Sequence, residues 1–109
     1  NQPSGASFGS IFKNPKGDFA GRLVESVGLK GLKKGGAMIS DKHANFLINV
    51  KNASFEDAIY LIELAEKRVF DEFGLHLERE VVVIWAILQI LNSNLKAQNR
   101  QDKIKANLG

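Results

Sequence analysis

The sequence predicts an α+β domain in which a small mixed sheet packs against two helices. Short apolar runs bounded by turn residues alternate with two segments of helical periodicity, in the order strand, helix, strand, strand, helix, strand. The 109 residues are 44% hydrophobic and 25% charged, which suits a globular domain built around a single core. We therefore expect one domain.

The first third of the chain predicts a strand, a short helix and a basic loop. Residues 10–15 alternate briefly and stop at a proline, which cannot donate to a sheet ladder, so we expect a short strand that runs into a turn. Asp18 is predicted to cap a helix that ends at Gly28. The apolar positions of that helix are Phe19, Leu23, Val24 and Val27. Residues 29–36, LKGLKKGG, predict a basic loop that is mobile unless a ligand or a neighbouring segment orders it.

The middle of the chain predicts two strands and the best-defined helix. Residues 37–39 are expected to begin a strand, and residues 46–50 form an apolar, partly β-branched run typical of a buried strand. Ser54 and Asp57 resemble a capping box, with Asp in place of the usual Glu or Gln, and Gly74 is the predicted end of the helix. Its predicted apolar face consists of Ala58, Leu61, Ile62, Ala65, Val69 and Phe73.

The last third of the chain predicts a strand and a tail. Residues 75–85 contain consecutive β-branched residues and predict a long strand. The segment that follows runs from apolar to polar without a proline, which fits a helix or a frayed tail. We therefore assign residues 1–91 to the domain and residues 92–109 to a polar tail that is helical or disordered.

The composition narrows the kinds of ligand and site. The net charge of +3 fits an anionic ligand but falls short of the charge typical of nucleic-acid-binding domains. The absence of cysteine excludes disulfides and a thiol nucleophile. His43 and His76 stand far apart in no ligand pattern, so no metal is expected. The longest apolar run, residues 81–91, is shorter than the ~20 residues that cross a bilayer, so no membrane span is expected.

Four sequence blocks, in the same order, resemble the UDP-N-acetylenolpyruvoylglucosamine reductase family. GSIFKNP at residues 9–15 is similar to the family's GS-x-F-K-N-P segment, and AGRLVE at residues 20–25 resembles the helix after it. Residues 28–46 contain GLKG, GG and SDKHANF, which resemble the next family stretch, and LEREV at residues 77–81 resembles the closing strand. Any one block would be a weak signal, but four in order make the resemblance specific.

The resemblance implies the C-terminal, substrate-binding domain of the compact class of these enzymes. Members of the family reduce UDP-N-acetylglucosamine enolpyruvate to UDP-N-acetylmuramate in the cytoplasm, a step of peptidoglycan synthesis that serves cell-wall biogenesis, cell shape and cell division. Hydride passes from NADPH to FAD and then to the enolpyruvyl double bond. FAD and NADPH are bound mainly by flavin-binding domains that are absent from this sequence. We therefore expect a fragment or detached third domain, inactive alone, whose partners are the UDP-sugar and those domains.

The matching motif positions also assign two catalytic residues. Ser10 matches the family's proton donor, and Glu80 matches its carboxyl partner. Taken without the motif, Ser10 would be a turn or strand-edge serine, and Glu78 would compete with Glu80 because both face the same side of the predicted strand. Glu80 is chosen because it immediately precedes the valine run, as in the family motif.

Three further residues are assigned to substrate binding. Asn14 matches a substrate-contacting asparagine, and His43 matches a position whose polar side chain faces substrate in the family. Lys13, with the lysines of residues 30–34, could attract the diphosphate of a UDP ligand. Arg22, in the first predicted helix, could equally be an ordinary surface residue and is not assigned to the site.

A stand-alone basic binding or assembly module without catalysis is the alternative function. In that hypothesis the lysine-rich loop would contact the phosphates of a nucleic acid or another polyanion. Aromatic residues are not interleaved with the lysines, and no stacking platform for single-stranded nucleic acid is visible. The sequence therefore favours the reductase domain and no nucleic-acid partner.

Overall fold

The computed structural model describes residues 6–108, with the side chains of residue 97 and residues 100–108 left undescribed. Its sheet has four antiparallel strands in the order β1-β4-β3-β2, and three helices are present in the described range. The predicted α+β class is confirmed. The strands are β1 (Ala6–Ser10), β2 (Lys33–Lys34), β3 (Ala37–Ile39) and β4 (Phe46–Asn49). The helices are α1 (Ala20–Ser26), α2 (Phe55–Phe73) and α3 (Val81–Leu108).

The core lies between the sheet and α2. The predicted capping box is confirmed, since the Ser54 hydroxyl accepts the N–H of Asp57 and the Asp57 carboxylate accepts the N–H of Ser54. Gly74 ends α2 in the left-handed conformation, with φ of 66°, as the sequence predicts. Five of the six predicted apolar positions are buried, and Phe73 is exposed: the buried ones are Ala58, Leu61, Ile62, Ala65 and Val69.

The glycine-rich segment at residues 29–36 contains β2 and the turn that joins it to β3, and a neighbouring segment orders it, which is the exception that the prediction of a mobile loop allows. Gly35 and Gly36 form the tight turn between β2 and β3, and Gly35 has a φ of +54° that suits glycine. The N–H of Gly36 donates to the Asp57 carboxylate at 3.1 Å, and a Cβ at Gly36 would clash with the Lys51 carbonyl. Contact with the start of α2 therefore orders the turn, which the local sequence could not reveal.

The first helix begins one residue later than predicted. Phe19 is the N-cap of α1, and no side chain of that residue caps the helix, so the assignment of Asp18 as the cap is wrong. Two neighbouring side chains satisfy N–H groups at this helix start instead. The Asp18 carboxylate accepts the N–H of Phe19 at 2.7 Å, and the Asn14 side-chain oxygen accepts the N–H of Ala20 at 2.9 Å. Gly28, with φ of 80°, follows the helix end as predicted.

The long strand predicted for residues 75–85 is also wrong. Only Arg79 pairs with another strand-like residue, in an antiparallel bridge with Phe12. The Arg79 guanidinium binds both carboxylate oxygens of Glu66 on α2, at 2.6 and 2.8 Å, which fixes this short segment to the helix. The chain then enters α3 at Val81.

Tertiary packing decides the conformation of the valine run. Val83 and Ile87 are both buried at helical spacing against the core, and this contact outweighs the β propensity of the run. One face of α3 is exposed from its start, since Val81 and Trp85 are 75% and 63% exposed. Farther along, the helix leaves the core, and residues 91–96 are all exposed. The helix continues through residue 91, and the division of the chain into 1–91 and 92–109 remains a prediction. No helix within residues 6–108 is long and apolar enough to cross a membrane.

The double role of Asp57 leads to a stability prediction. Asp57→Ala removes the acceptor for two backbone N–H groups, those of Ser54 and Gly36, and should lower the free energy of unfolding by about 1–3 kcal/mol at pH 7. Glu56→Ala is the matched control, because Glu56 is an exposed acid in the same helical turn. It should change the stability by less than about 0.5 kcal/mol. Urea denaturation followed by circular dichroism measures both values.

The same contacts predict a pH dependence. Hydrogen bonds from the N–H of Ser54 and then of Gly36 lower the pKa of Asp57 below its ordinary value. Because the folded pKa lies below the unfolded value of about 3.9, the stabilisation is present above that pH and is lost as the pH falls through the folded pKa. The difference between wild type and Asp57→Ala should therefore shrink in acid. Equal destabilisation by the two substitutions, or a difference independent of pH, would contradict the assignment.

Candidate functional site

A cleft of about 780 Å³ opens between α1 and the loop that joins β3 to β4. Three of the predicted site residues, Ser10, Asn14 and His43, line it. Lys13 and Glu80 are outside the lining. The other lining residues come from α1 with its N-cap and from residues 42–46, and they are Phe19, Gly21, Arg22, Glu25, Ser26, Lys42, Ala44, Asn45 and Phe46.

A β-bulge orients Ser10 at the end of β1. Ser7 pairs with Ile48 and Gly9 with Leu47, so one residue of β1 is extra and the register shifts between them. Gly9 has a φ of +103°, a conformation that L residues rarely adopt. A bulge shifts the alternation of side chains along the strand after it. Ser10 is half-buried opposite Phe46, and the bulge at the preceding glycine therefore sets the direction of its side chain.

The segment after Ser10 is held by Asn45. The backbone N–H of Ile11 donates to the Asn45 carbonyl at 2.7 Å. The side-chain oxygen of Asn45 accepts the N–H of Phe12 at 3.0 Å, and its side-chain nitrogen donates to the Phe12 carbonyl at 2.9 Å. Both residues are buried, with Asn45 7% and Phe12 1% exposed. The two cleft walls are thus joined by buried hydrogen bonds, which water does not weaken by competition.

Asn14 and Arg22 connect the β1 side of the cleft to α1. The side-chain oxygen of Asn14 accepts the N–H of Ala20. The amide nitrogen of Asn14 is the group that is able to donate to a ligand. Arg22 donates to both carboxylate oxygens of Asp18, at 2.7 and 2.5 Å. This pairing, followed by the N–H of Phe19, lowers the pKa of Asp18 to about 2. The Arg22 guanidinium is consequently fixed at the cleft and partly neutralised.

His43 lies on a turn that its neighbours define. The hydroxyl of Ser40 accepts the N–H groups of Lys42 and His43, each at 3.1 Å, and the His43 carbonyl accepts the N–H of Phe46 at 2.9 Å. The imidazole stacks on the Phe46 ring, with 4.9 Å between the ring centroids. Although His43 is exposed, its backbone and ring are therefore oriented, as a ligand-contacting residue requires.

Lys13 and the two candidate glutamates lie on the far side of the Ser10 segment. The N–H of Lys13 donates to the Glu78 carbonyl and the N–H of Glu80 to the Ile11 carbonyl, both at 2.8 Å. The Lys13 ammonium binds the Glu78 carboxylate at 2.8 Å, with the two side chains 49% and 73% exposed. Glu78 is the main cause of the raised pKa of Lys13, and the charge of Glu80 contributes. Glu80 is half-buried.

The described residues hold no cluster of ligands for a metal ion, and their most glycine-rich turn does not suit a phosphate group. Within residues 6–108, apart from the undescribed side chains, no group of three or more His, Asp or Glu side chains could hold a metal ion. The most glycine-rich segment directs the N–H of Gly36 at the carboxylate of Asp57. That carboxylate would repel a phosphate at the same turn, so this segment is not a phosphate-binding loop.

Sequence reasoning missed three contributors to the cleft. Arg22 is not assigned to the site from the sequence, although its position four residues after Asp18 is the spacing of a helical ion pair. Phe19 was assigned to the apolar face of α1 but is 67% exposed at the cleft. Asn45 lies within the SDKHANF block, but its contact with Phe12 spans 33 residues, and no local pattern could reveal it.

Comparisons with known proteins identify the family. The model of the family described as UDP-N-acetylenolpyruvoylglucosamine reductase, C-terminal domain, matches residues 2–84. Over 84 residues the chain is 79% identical to the UDP-N-acetylenolpyruvoylglucosamine reductase of Campylobacter jejuni, covering 77% of this chain and 33% of the relative. The Helicobacter hepaticus reductase is 63% identical over 84 residues, which cover 77% of this chain and 32% of that relative.

A solved structure agrees with the sequence matches. The crystal structure of UDP-N-acetylenolpyruvylglucosamine reductase from Thermus caldophilus matches with a TM-score of 0.56 and 47% identity, over 72% of this chain and 28% of that one. The chain spans about a third of the length of the curated relatives it matches. The resemblance inferred from the four sequence blocks is confirmed, and the chain belongs to the family of UDP-N-acetylenolpyruvoylglucosamine reductase C-terminal domains.

Proposed function

We propose that this chain is the substrate-binding part of an FAD-dependent reductase that converts UDP-N-acetylglucosamine enolpyruvate to UDP-N-acetylmuramate with NADPH. One observation supports the proposal: Ser10, Asn14 and His43, which the family motifs assign to the site, all line one cleft. Relatives that share the chain's family carry the name of this reductase. The reaction would belong to cytoplasmic peptidoglycan synthesis.

Ser10 is the proposed proton donor. When flavin is bound in the whole protein, it supplies the electrons that reduce the enolpyruvyl double bond. A proton must then reach the adjacent carbon, and a serine hydroxyl can supply it only to a strongly basic carbon in a preorganised site. Ser10 meets the structural side of this requirement, because it is half-buried, follows the bulge at Gly9 and lines the cleft.

Glu80 is the proposed carboxyl partner in preference to Glu78. The Glu78 carboxylate is 73% exposed and bound by Lys13, so it already has a partner outside the cleft. Glu80 is half-buried, and its N–H binds the carbonyl of Ile11, the residue next to Ser10. Glu80 is not part of the cleft lining in the free chain, and its proposed role therefore requires it to turn toward Ser10 when substrate is bound.

Asn14, Lys13 and His43 are the proposed substrate-binding residues. The amide nitrogen of Asn14 would donate to the substrate while its oxygen remains on Ala20. His43 would present its imidazole from the stacked arrangement with Phe46. Lys13 would supply positive charge near an anionic group, although it must share that charge with Glu78.

The flavin and the nicotinamide cofactor are proposed to bind outside this chain. The glycine-rich turn is occupied by Asp57, and this also weighs against the alternative of a polyanion-binding module. Because the chain covers a third of its relatives' length, the remaining two thirds of such a protein are available to hold the cofactors. The role left to this chain is to bind the sugar, orient it and deliver the proton.

A chimera tests the proposal. The 84 aligned residues of the Campylobacter jejuni reductase would be replaced by those of this chain, leaving the rest of that protein unchanged. The chimera should bind FAD and reduce the enolpyruvyl UDP-sugar with a kcat/KM within about tenfold of the parent, a difference of about 1.4 kcal/mol in transition-state stabilisation. The parent is the control for FAD loading and folding. A folded, FAD-loaded chimera that does not reduce the sugar would refute the proposed function.

Ser10→Ala in the chimera should slow the oxidation of reduced flavin by the enolpyruvyl sugar by about 10²–10⁴-fold, because a positioned acid has been removed. Bleaching of the flavin by NADPH, measured by stopped flow, should be unchanged and serves as an internal control. Ser10→Cys should restore part of the rate, since a thiol with a pKa near ~8.5 remains a proton donor at neutral pH. A rate for Ser10→Ala within a few-fold of wild type would show that Ser10 is only a strand-end residue.

The two glutamates form a matched pair of variants. Glu80→Gln should lower turnover at least about 10²-fold with a much smaller change in substrate affinity, because the amide keeps the hydrogen bonds but cannot exchange a proton. Glu78→Gln should leave turnover near the wild-type value, since it removes only an exposed ion pair with Lys13. Steady-state kinetics on both chimeras measure the contrast, and the reverse result would assign the carboxyl role to Glu78.

A further inference from the structure

We infer that Asn45 is a positioning residue whose side-chain amide sets the orientation of Ser10 and Asn14 in the cleft. The inference rests on the proposed function of Ser10. It concerns a residue whose side-chain hydrogen bonds go to Phe12, two residues after Ser10. Asn45 acts through the backbone of Phe12, which lies midway between the two site residues.

The hydrogen-bond ladder between β1 and β4 ends next to Asn45. Ser10 pairs with Phe46 as the last pair between β1 and β4, and beyond it the chain of β4 turns away into the loop that carries His43. The carbonyl of Asn45 still accepts the N–H of Ile11. Its side-chain amide then replaces the peptide group that a longer strand would have placed opposite Phe12.

The amide is suited to this replacement because it has a donor and an acceptor in one plane, as a peptide group has. The bond lengths of 3.0 Å to the N–H of Phe12 and 2.9 Å to its carbonyl are those of well-formed hydrogen bonds. A leucine or alanine at position 45 would leave both buried groups of Phe12 without these partners. The peptide planes on either side of Phe12 would then rotate to recover bonds, and Ser10 and Asn14 would move with them.

The opposite edge of the segment restrains the same two peptide planes by one hydrogen bond each. The Ile11 carbonyl, which shares a plane with the N–H of Phe12, accepts the N–H of Glu80, and the N–H of Lys13, which shares a plane with the Phe12 carbonyl, donates to Glu78. The Phe12 side chain is anchored in the core, but an anchored side chain does not fix its own peptide groups. Asn45 therefore supplies the second restraint on each plane, at the edge that faces the cleft, and it also ties this wall of the cleft to the wall that carries His43.

A purely structural role would have a different experimental signature. If Asn45 only stabilised the fold, its variants would have wild-type kinetics at temperatures where they are fully folded. A positioning role predicts a slow proton step in a folded protein, with NADPH oxidation by flavin unaffected. Asp57→Ala is the matched control, because it also removes a side chain that hydrogen-bonds two backbone groups but lies outside the cleft.

Asn45→Asp in the chimera is the deciding variant. Its ionised carboxylate can accept the N–H of Phe12 but has no hydrogen for the Phe12 carbonyl, and burial together with that carbonyl raises the pKa of the introduced acid. At pH 8 we expect the oxidation of reduced flavin by sugar to fall about 10²-fold, the usual cost of a misplacement near 1 Å. Toward pH 5 protonation restores the donor, so the deficit relative to wild type at the same pH should shrink. Asp57→Ala should show no such deficit at either pH.

A second measurement on the 109-residue chain separates this inference from the proposed function. In Asn45→Ala, the N–H of Phe12 should lose hydrogen-exchange protection while the N–H of Lys13 keeps it, and the amide resonances of Ser10 and Asn14 should shift. An inactive wild-type chimera would refute the proposed function, and the exchange data would still decide the inference. Unchanged protection of the Phe12 N–H together with unshifted resonances of Ser10 and Asn14 would overturn the inference. A folded Asn45→Asp chimera with a wild-type rate of the proton step at pH 8 would also overturn it.

Discussion

The carboxylate of Asp57 is the contact on which the arrangement of the sheet depends. It caps α2 through the N–H of Ser54 and holds the β2–β3 turn through the N–H of Gly36, so one side chain joins the longest core helix to the sheet. The carbonyl of Gly36 in turn accepts the N–H groups of Val50 and Lys51, just after β4. This junction therefore holds the C-terminal end of β4, which lies at the opposite end of the strand from the cleft.

The cleft shows how a rigid scaffold orients exposed residues. Its polar side chains lie on turns and strand ends, yet each turn has a defined backbone: the bulge at Gly9, the Ser40 turn before His43, and the bonds of Asn45 to Phe12. Ligand-binding groups in proteins are commonly placed in this way, on connections held by packed elements. The ion pair of Asp18 with Arg22 adds a charge of fixed position, which an exposed arginine on its own would not have.

The sequence predicted what local chemistry determines and failed where distant contacts decide. The capping box at Ser54 and the left-handed Gly74 depend on a few neighbouring residues, and both predictions are confirmed. The grouping of Ser10, Asn14 and His43 could be expected only from the family motif. By contrast, the order of the hairpin at Gly35 depends on contact with α2, which its glycines and lysines do not reveal. The helix at Val81 depends on packing against the core, and intrinsic propensity predicts a strand there instead.

The position of Trp85 has a consequence for spectroscopy of this chain. It is the one tryptophan of the sequence, and it lies mostly in water on the exposed side of α3. Its emission should therefore differ little between the folded and unfolded chain. Its fluorescence would instead respond to a molecule that binds to that face of α3. Trp85 is therefore a reporter of association and a poor reporter of unfolding.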